Sequence, residues 1–154
     1  MALADKKIVK PPLLYWPLCV AMKVAISSRY VRSWESFPTS LRYVGAGLFA
    51  AGVAVVVSVV WKFRALKTEI NTYKKPLKLT TTGFFKYSRN PIYLAKTVSL
   101  AGLSLALGTP QSLVAAAFFW AACNYHYIPF EEKILLKEFG TKYEHYKATT
   151  RRWL

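Results

Sequence analysis

At 154 residues the chain is long enough for one domain. It carries 22 Lys and Arg against 7 Asp and Glu, a formal charge of +15, yet 54% of its residues are hydrophobic and 16% aromatic. That apolar content excludes a disordered basic tail, and the segregation of cations from apolar runs sets aside a soluble nucleic-acid binder in favour of a protein embedded in a bilayer.

The first apolar run, residues 13–28, contains Pro17 and Lys23. It reads as a span, an interfacial helix or a signal anchor, and no small-x-small cleavage site marks it as a removable signal peptide. The second, Leu41 to Trp61, has Arg42 alone as a charge, at its start. About 20 residues at ~1.5 Å each cross a hydrocarbon core of roughly 30 Å. Gly45, Gly47 and Gly52 give it a small-residue surface of the kind on which membrane helices pack, and Tyr43 and Trp61 stand near its ends as interfacial aromatics do.

A third apolar region breaks at Gly108-Thr109-Pro110, which predicts a helical hairpin with arms at about 92–107 and 112–128. Each arm is short for a span, and a thinned bilayer or snorkelling ends would accommodate it. Lys6, Lys7 and Lys10, eight cations from Lys62 to Arg89, and six from Lys133 to Arg152 then fall on one side, whereas Arg29, Arg32 and Arg42 fall on the other. By the positive-inside rule both termini and the middle loop are cytoplasmic. The expected fold is all-α: one membrane domain over residues 1–154, a bundle of about four transmembrane helices followed by a cytoplasmic amphipathic helix. Cys19 and Cys123 lie in apolar runs and read as buried thiols; no disulfide or metal spacing is present.

Polar residues cluster at 77–96 and 125–154, both on the cytoplasmic side. In Arg89-Asn90-Pro91 the proline suits a first helical turn, and the helix start beside it favours an anionic group. The plainer account is a helix cap with an interfacial arginine. Glu131-Glu132 follows the membrane exit near Pro129; the pair either caps a helix or binds a cationic or hydroxyl-rich ligand. Beyond it, Ile134, Leu135, Phe139, Tyr143 and Tyr146 form an apolar stripe that Gly140 interrupts, which suggests a break or a close contact. His126 reads first as an interfacial residue and second as a base. Lys96 reads as a lysine snorkelling to the interface, with contact to a ligand carboxylate as the second choice.

The segments Thr81–Leu94 (TTGFFKYSRNPIYL) and Glu131–Tyr146 (EEKILLKEFGTKYEHY), separated by a hairpin, resemble the isoprenylcysteine carboxyl methyltransferase family and its phospholipid methyltransferase relatives. The resemblance covers about residues 75–152. It implies an integral-membrane enzyme that takes S-adenosylmethionine at its cytoplasmic face and a lipid-like or prenylated acceptor from the bilayer. The membrane implied is the endoplasmic reticulum in a eukaryote or the inner membrane in a bacterium. Carried over by position, the cofactor contacts Leu77, Lys78, Leu79, Thr80, Phe85, Asn90, Pro91, Ile92, Tyr93 and Glu131, with Arg89 and Glu132 in support. The candidates for a catalytic role are Arg89, His126 and Glu132. Catalysis would be mostly proximity and orientation, because the sulfonium is already activated.

The chain departs from the family pattern at three places. Phe85 stands for a tyrosine and Asn90 for the histidine usual in carboxyl methyltransferases. Tyr127 replaces an arginine that would hold an acceptor carboxylate, although it remains the candidate acceptor-binding residue. A sterol-reductase-like enzyme using NADPH and a non-enzymatic lipid-binding membrane protein with a degenerate site are the competing readings.

Overall fold

The computed structural model describes residues 12–29, 37–65 and 78–154. Leu77, the N-terminal lysines and the cations at positions 32 and 67–75 lie outside the described residues. Among the described residues every regular element is helical and none is a strand. The α-helices are α1 (Pro12–Arg29), α2 (Thr39–Ala65), α3 (Pro91–Ala106), α4 (Leu113–Ala122), α5 (Ile128–Phe139) and α6 (Thr141–Thr149).

α2 has 27 residues and is the one helix among those described that is long and apolar enough to cross a membrane. α3 and the stretch 16–25 of α1 are shorter apolar helices. The expected fourth arm is compound: α4 passes into a π-helical turn, Cys123–Tyr127, which runs directly into α5. No new helix starts at Glu131. Pro129 lacks the N–H that would bond back one turn and its ring crowds the carbonyl there; a π-helical turn immediately before it opens the ladder at that point.

α3 lies between α2 and the α4 rod. Against α2 it makes backbone contact, because a methyl on Gly45 would stand 2.6 Å from the Gly102 carbonyl oxygen, and one on Gly102 would stand 2.6 Å from Phe49 N. A methyl on Gly52 would meet Ala95 O at 2.6 Å. Gly47, expected on the same packing surface, has nothing within 4 Å and faces away; residues two apart on a helix point to different sides. On its other face α3 joins Tyr93 and Leu100 to Ala116, Phe119, Cys123 and Ile128 in the core. Val114 (73% exposed), Phe118 (76%), Trp61 (71%) and Tyr43 (75%) point outward, the reverse of a water-soluble surface.

Lys23 is buried, and its ammonium donates to Leu100 O at 3.1 Å, Ser112 O at 2.8 Å and the Ser104 hydroxyl. It thereby takes up carbonyls near the hairpin turn and ties α1 to it. Gly108 at that turn has φ +61°. Lys96 does not snorkel. It is 1% exposed and its Nζ has no hydrogen-bond partner, because its position on α3 aims it inward toward the α4–α5 rod rather than along the helix to the interface.

Candidate functional site

The cation-rich end of α2 anchors the first motif. Lys62 Nζ donates to both Thr82 O and Thr82 Oγ1 at 2.9 Å, and the Phe63 ring meets the edge of Phe85 at 5.6 Å. The chain then makes a short 3-10 turn, Gly83–Lys86, with Gly83 at φ +69°. Pro91 opens α3, where its missing N–H costs no helical hydrogen bond.

Between turn and helix, residues 88–90 are laid against the end of the chain. Arg89 N donates to Arg151 O at 3.0 Å, and Asn90 Nδ2 to Arg152 O at 3.0 Å. Ser88, 2% exposed, accepts from Asn90 N at 3.1 Å through its hydroxyl. Asn90 is the N-cap of α3, yet its side chain makes no cap bond; it is spent on the tail instead.

The Arg89 guanidinium reaches across to the second motif. Nη1 donates to Lys147 O at 2.9 Å and Thr150 O at 3.2 Å, carbonyls left open at the end of α6. Nη2 pairs with Glu132 Oε1 at 2.9 Å, while Arg152 Nη2 pairs with Glu132 Oε2 at 2.8 Å. Glu132 is therefore a brace between two guanidiniums, not a helix cap. Its neighbour Glu131 accepts a hydrogen bond from the Tyr93 hydroxyl, which joins the two motifs a second time.

α6 closes the assembly. Gly140, at φ +50° and ψ −126°, breaks the helix after Phe139; no neighbour crowds it, so the glycine serves the turn and not a close contact. The break carries Tyr143 and Tyr146 inward, 2% and 6% exposed, and Tyr146 donates to Phe85 O at 2.7 Å. Thus Phe85, which lacks the family's hydroxyl, meets this residue through its backbone. Burial pushes the Tyr143 phenol up to about 12, with Glu132 adding to the rise. Burial does the same to Tyr146, also to about 12, against the opposing pull of Arg89.

Of the expected site residues, the structure brings together Arg89, Asn90, Tyr93, Glu131 and Glu132. Pro91 is buried beside them; Leu79, Thr80, Phe85, Ile92 and Tyr127 are half-buried, and Lys78 is exposed. His126 is exposed, its ring edge-on to Tyr127 at 5.3 Å. Asn124, Arg152 and Trp153 were not foreseen: Asn124 Oδ1 accepts from Trp153 Nε1 at 3.0 Å and ties the tail to the π-helical turn. Much of that tail docks through backbone carbonyls, which every residue carries, so no side-chain pattern announces it.

Three buried side-chain polar atoms among those described have no hydrogen-bond partner: Thr80 Oγ1, Arg89 Nε and Lys96 Nζ. All three belong to the stretch 80–96 that carries the first motif. On the other face of α3, an apolar cavity of about 220 Å³ opens between α2 and α3, lined among others by Gly52, Val55, Phe84, Leu94 and Val98. Among the described residues no group of His, Cys and carboxylates is placed to hold a metal ion.

The chain is similar in sequence to known phospholipid methyltransferases. The phosphatidyl-N-methylethanolamine N-methyltransferase of Saccharomyces cerevisiae is 36% identical over 76 residues, a match that covers 48% of this chain and 37% of the yeast protein. The chain thus spans little more than a third of the length of that relative. The sequence model of the phospholipid methyltransferase family matches residues 41–142, from α2 through the first motif and the hairpin into the second motif, ending in the first turn of α6. A match over more than half of the chain, with the two motifs joined in space by Arg89–Glu132 and Tyr93–Glu131, places this protein in the phospholipid methyltransferase family.

Proposed function

We propose that this protein transfers a methyl group from S-adenosylmethionine to the amine of a phospholipid headgroup, at the cytoplasmic face of a membrane it crosses four times as a single domain. The observation that carries the reading is the set of unpartnered buried polar atoms, Thr80 Oγ1, Arg89 Nε and Lys96 Nζ, in the same stretch of chain that supplies the Tyr93–Glu131 hydrogen bond. Buried polar groups are nearly always paired, so three orphans within residues 80–96 suit a polar ligand. Bound S-adenosylmethionine would supply a methyl already activated on a sulfonium.

The residues in question fit such a molecule. Glu131 is placed to meet a cationic or hydroxyl group, the start of α3 at Asn90–Ile92 favours an anionic one, and Leu79, Thr80 and Phe85 offer a partly apolar wall. Arg89 and Glu132 hold the two motifs in register, and Tyr93 fixes the Glu131 carboxylate. The apolar cavity between α2 and α3 supports a lipid acceptor, since its lining suits an acyl chain. The yeast relative's name favours nitrogen as the methylated atom. Tyr127 in place of an arginine weighs against a prenylated carboxylate, because a buried anion needs a cation.

For topology, the cations at the end of α2, in the first motif and on α5–α6 support a cytoplasmic site. The enclosing membrane is then the endoplasmic reticulum of a eukaryote or the inner membrane of a bacterium. The test is calorimetry on the purified protein in detergent. S-adenosylhomocysteine should bind at micromolar levels and NADPH should not; the opposite pair of results would reverse the reading toward a reductase. Incubation with isotopically labelled S-adenosylmethionine and lipid extract should label an amine-bearing phospholipid by mass spectrometry.

A further inference from the structure

Lys96 is the most deeply buried cation among the described residues, at 1% exposure, and its ammonium donates to nothing. An ammonium removed from water without a partner is strongly disfavoured, so the fold does not bury it for stability. Lys23, the other buried lysine of the bundle, shows the contrast: its ammonium has four acceptors in the hairpin.

The surroundings of Lys96 indicate what would satisfy it. It stands one helical turn beyond Tyr93 on the same face of α3, and the Tyr93 hydroxyl fixes Glu131. The Glu131 carboxylate and the buried Cys123 thiol are the titratable groups with an electrostatic influence on it, yet no hydrogen bond joins Lys96 to either. A positive group on α3 and a negative group on α5 thus act on one another without a hydrogen bond between them. That arrangement complements a zwitterion: an oxyanion against the lysine and an ammonium against the carboxylate.

We propose that Lys96 is a ligand-binding residue that takes the oxyanion of a zwitterionic ligand whose amine faces Glu131. The proposal rests on the methyltransferase reading and deepens it, for two molecules of that reaction carry this chemistry. One is the amino-acid end of the methyl donor, with its carboxylate. The other is the phosphoethanolamine headgroup of the acceptor, with its phosphodiester.

The experiment compares wild type with Lys96→Met, which keeps the length and apolar stem and removes the charge, and with Lys96→Arg, which restores a cation. In one arm calorimetry measures S-adenosylhomocysteine against its decarboxylated analogue. In the other, native mass spectrometry from phosphatidylcholine nanodiscs measures retention of phosphatidylethanolamine against diacylglycerol. Loss of a charge-assisted hydrogen bond predicts that Lys96→Met binds one of the two zwitterions about 10- to 100-fold more weakly. The partner lacking the oxyanion should bind both proteins alike, and Lys96→Arg should recover part of the loss. A loss for S-adenosylhomocysteine alone assigns the donor, and a loss for phosphatidylethanolamine alone assigns the acceptor.

Thermal unfolding without ligand gives a second measure, in which Lys96→Met should be at least as stable as wild type because an uncompensated charge is gone. If wild type binds both zwitterions and Lys96→Met binds them equally well, the lysine has no such role and the methyltransferase reading stands. If wild type binds neither, both fall together.

Discussion

Arg89 Nη2 and Glu132 Oε1 lie 2.9 Å apart, an ion pair between side chains 9% and 13% exposed and 43 positions apart in the chain. The pair joins the turn before α3 to the first turns of α5, and Arg152 completes it from the tail. Removing one member of a buried pair strands the other, and this predicts a cost of about 3 kcal/mol for Glu132→Ala. Reversible denaturant unfolding in micelles would measure it. A change below about 0.5 kcal/mol, the range of surface substitutions, would show the brace to be dispensable.

Tyr93 gives a gentler perturbation of the same region. Tyr93→Phe keeps the ring in the core and deletes the hydroxyl that donates to Glu131. A hydrogen bond to a charged group contributes about 1.5 kcal/mol or more. The variant should fold, and its affinity for S-adenosylhomocysteine should fall about tenfold. Unchanged affinity would place Glu131 outside the ligand's reach.

The α2–α3 contact separates two glycines that look alike in sequence. Gly102→Ala drives a methyl to 2.6 Å from Phe49 N, a backbone atom that cannot swing aside. Overpacking of this kind costs about 1–3 kcal/mol. Gly47→Ala meets nothing within 4 Å and should be neutral or slightly stabilising through helix propensity. Equal losses of thermal stability in the two variants would contradict the close approach.

The paired tyrosines predict an alkaline limit. Tyr143 and Tyr146, each held at about 12 against an ordinary value near ~10, keep their protons in the fold where the unfolded chain has lost them. Their contribution is fully present below pH ~10 and is lost as pH rises toward about 12. Circular dichroism across that window should show stability falling, and Tyr143→Phe with Tyr146→Phe should flatten the fall. No slope change in the double variant would contradict their burial.

Gly140→Ala tests the break that brings those tyrosines inward. At φ +50° and ψ −126° a side chain is strained, at a cost of order 1–3 kcal/mol. The break should open, and Tyr146 should lose its bond to Phe85 O. Proteolysis between α5 and α6 should then quicken; an unchanged rate would show that the turn tolerates the side chain.

The composition, the runs at 41–61 and 92–107, the Gly-Thr-Pro turn and both motifs were legible from the chain alone, since hydropathy, helix-starting proline and turn glycine act over a few residues. The pairing of Arg89 with Glu132 was expected only as shared support. The roles of Asn124, Arg152 and Trp153 left no trace in pattern, because they meet partners 20 or more positions away. The same limit applies to Lys96: a lysine one turn into an apolar helix looks like a snorkelling residue until the neighbouring rod is in place.

What the sequence determined by itself is an all-helical, membrane-suited chain with two polar motifs and a surplus of cations near them. Which glycine touches a neighbouring helix, which carboxylate braces arginines and which accepts from Tyr93, and which lysine is left without a partner were decided only by tertiary structure. Those properties depend on what lies across the gap between helices, and a side chain's own identity carries no information about that until the helices have packed.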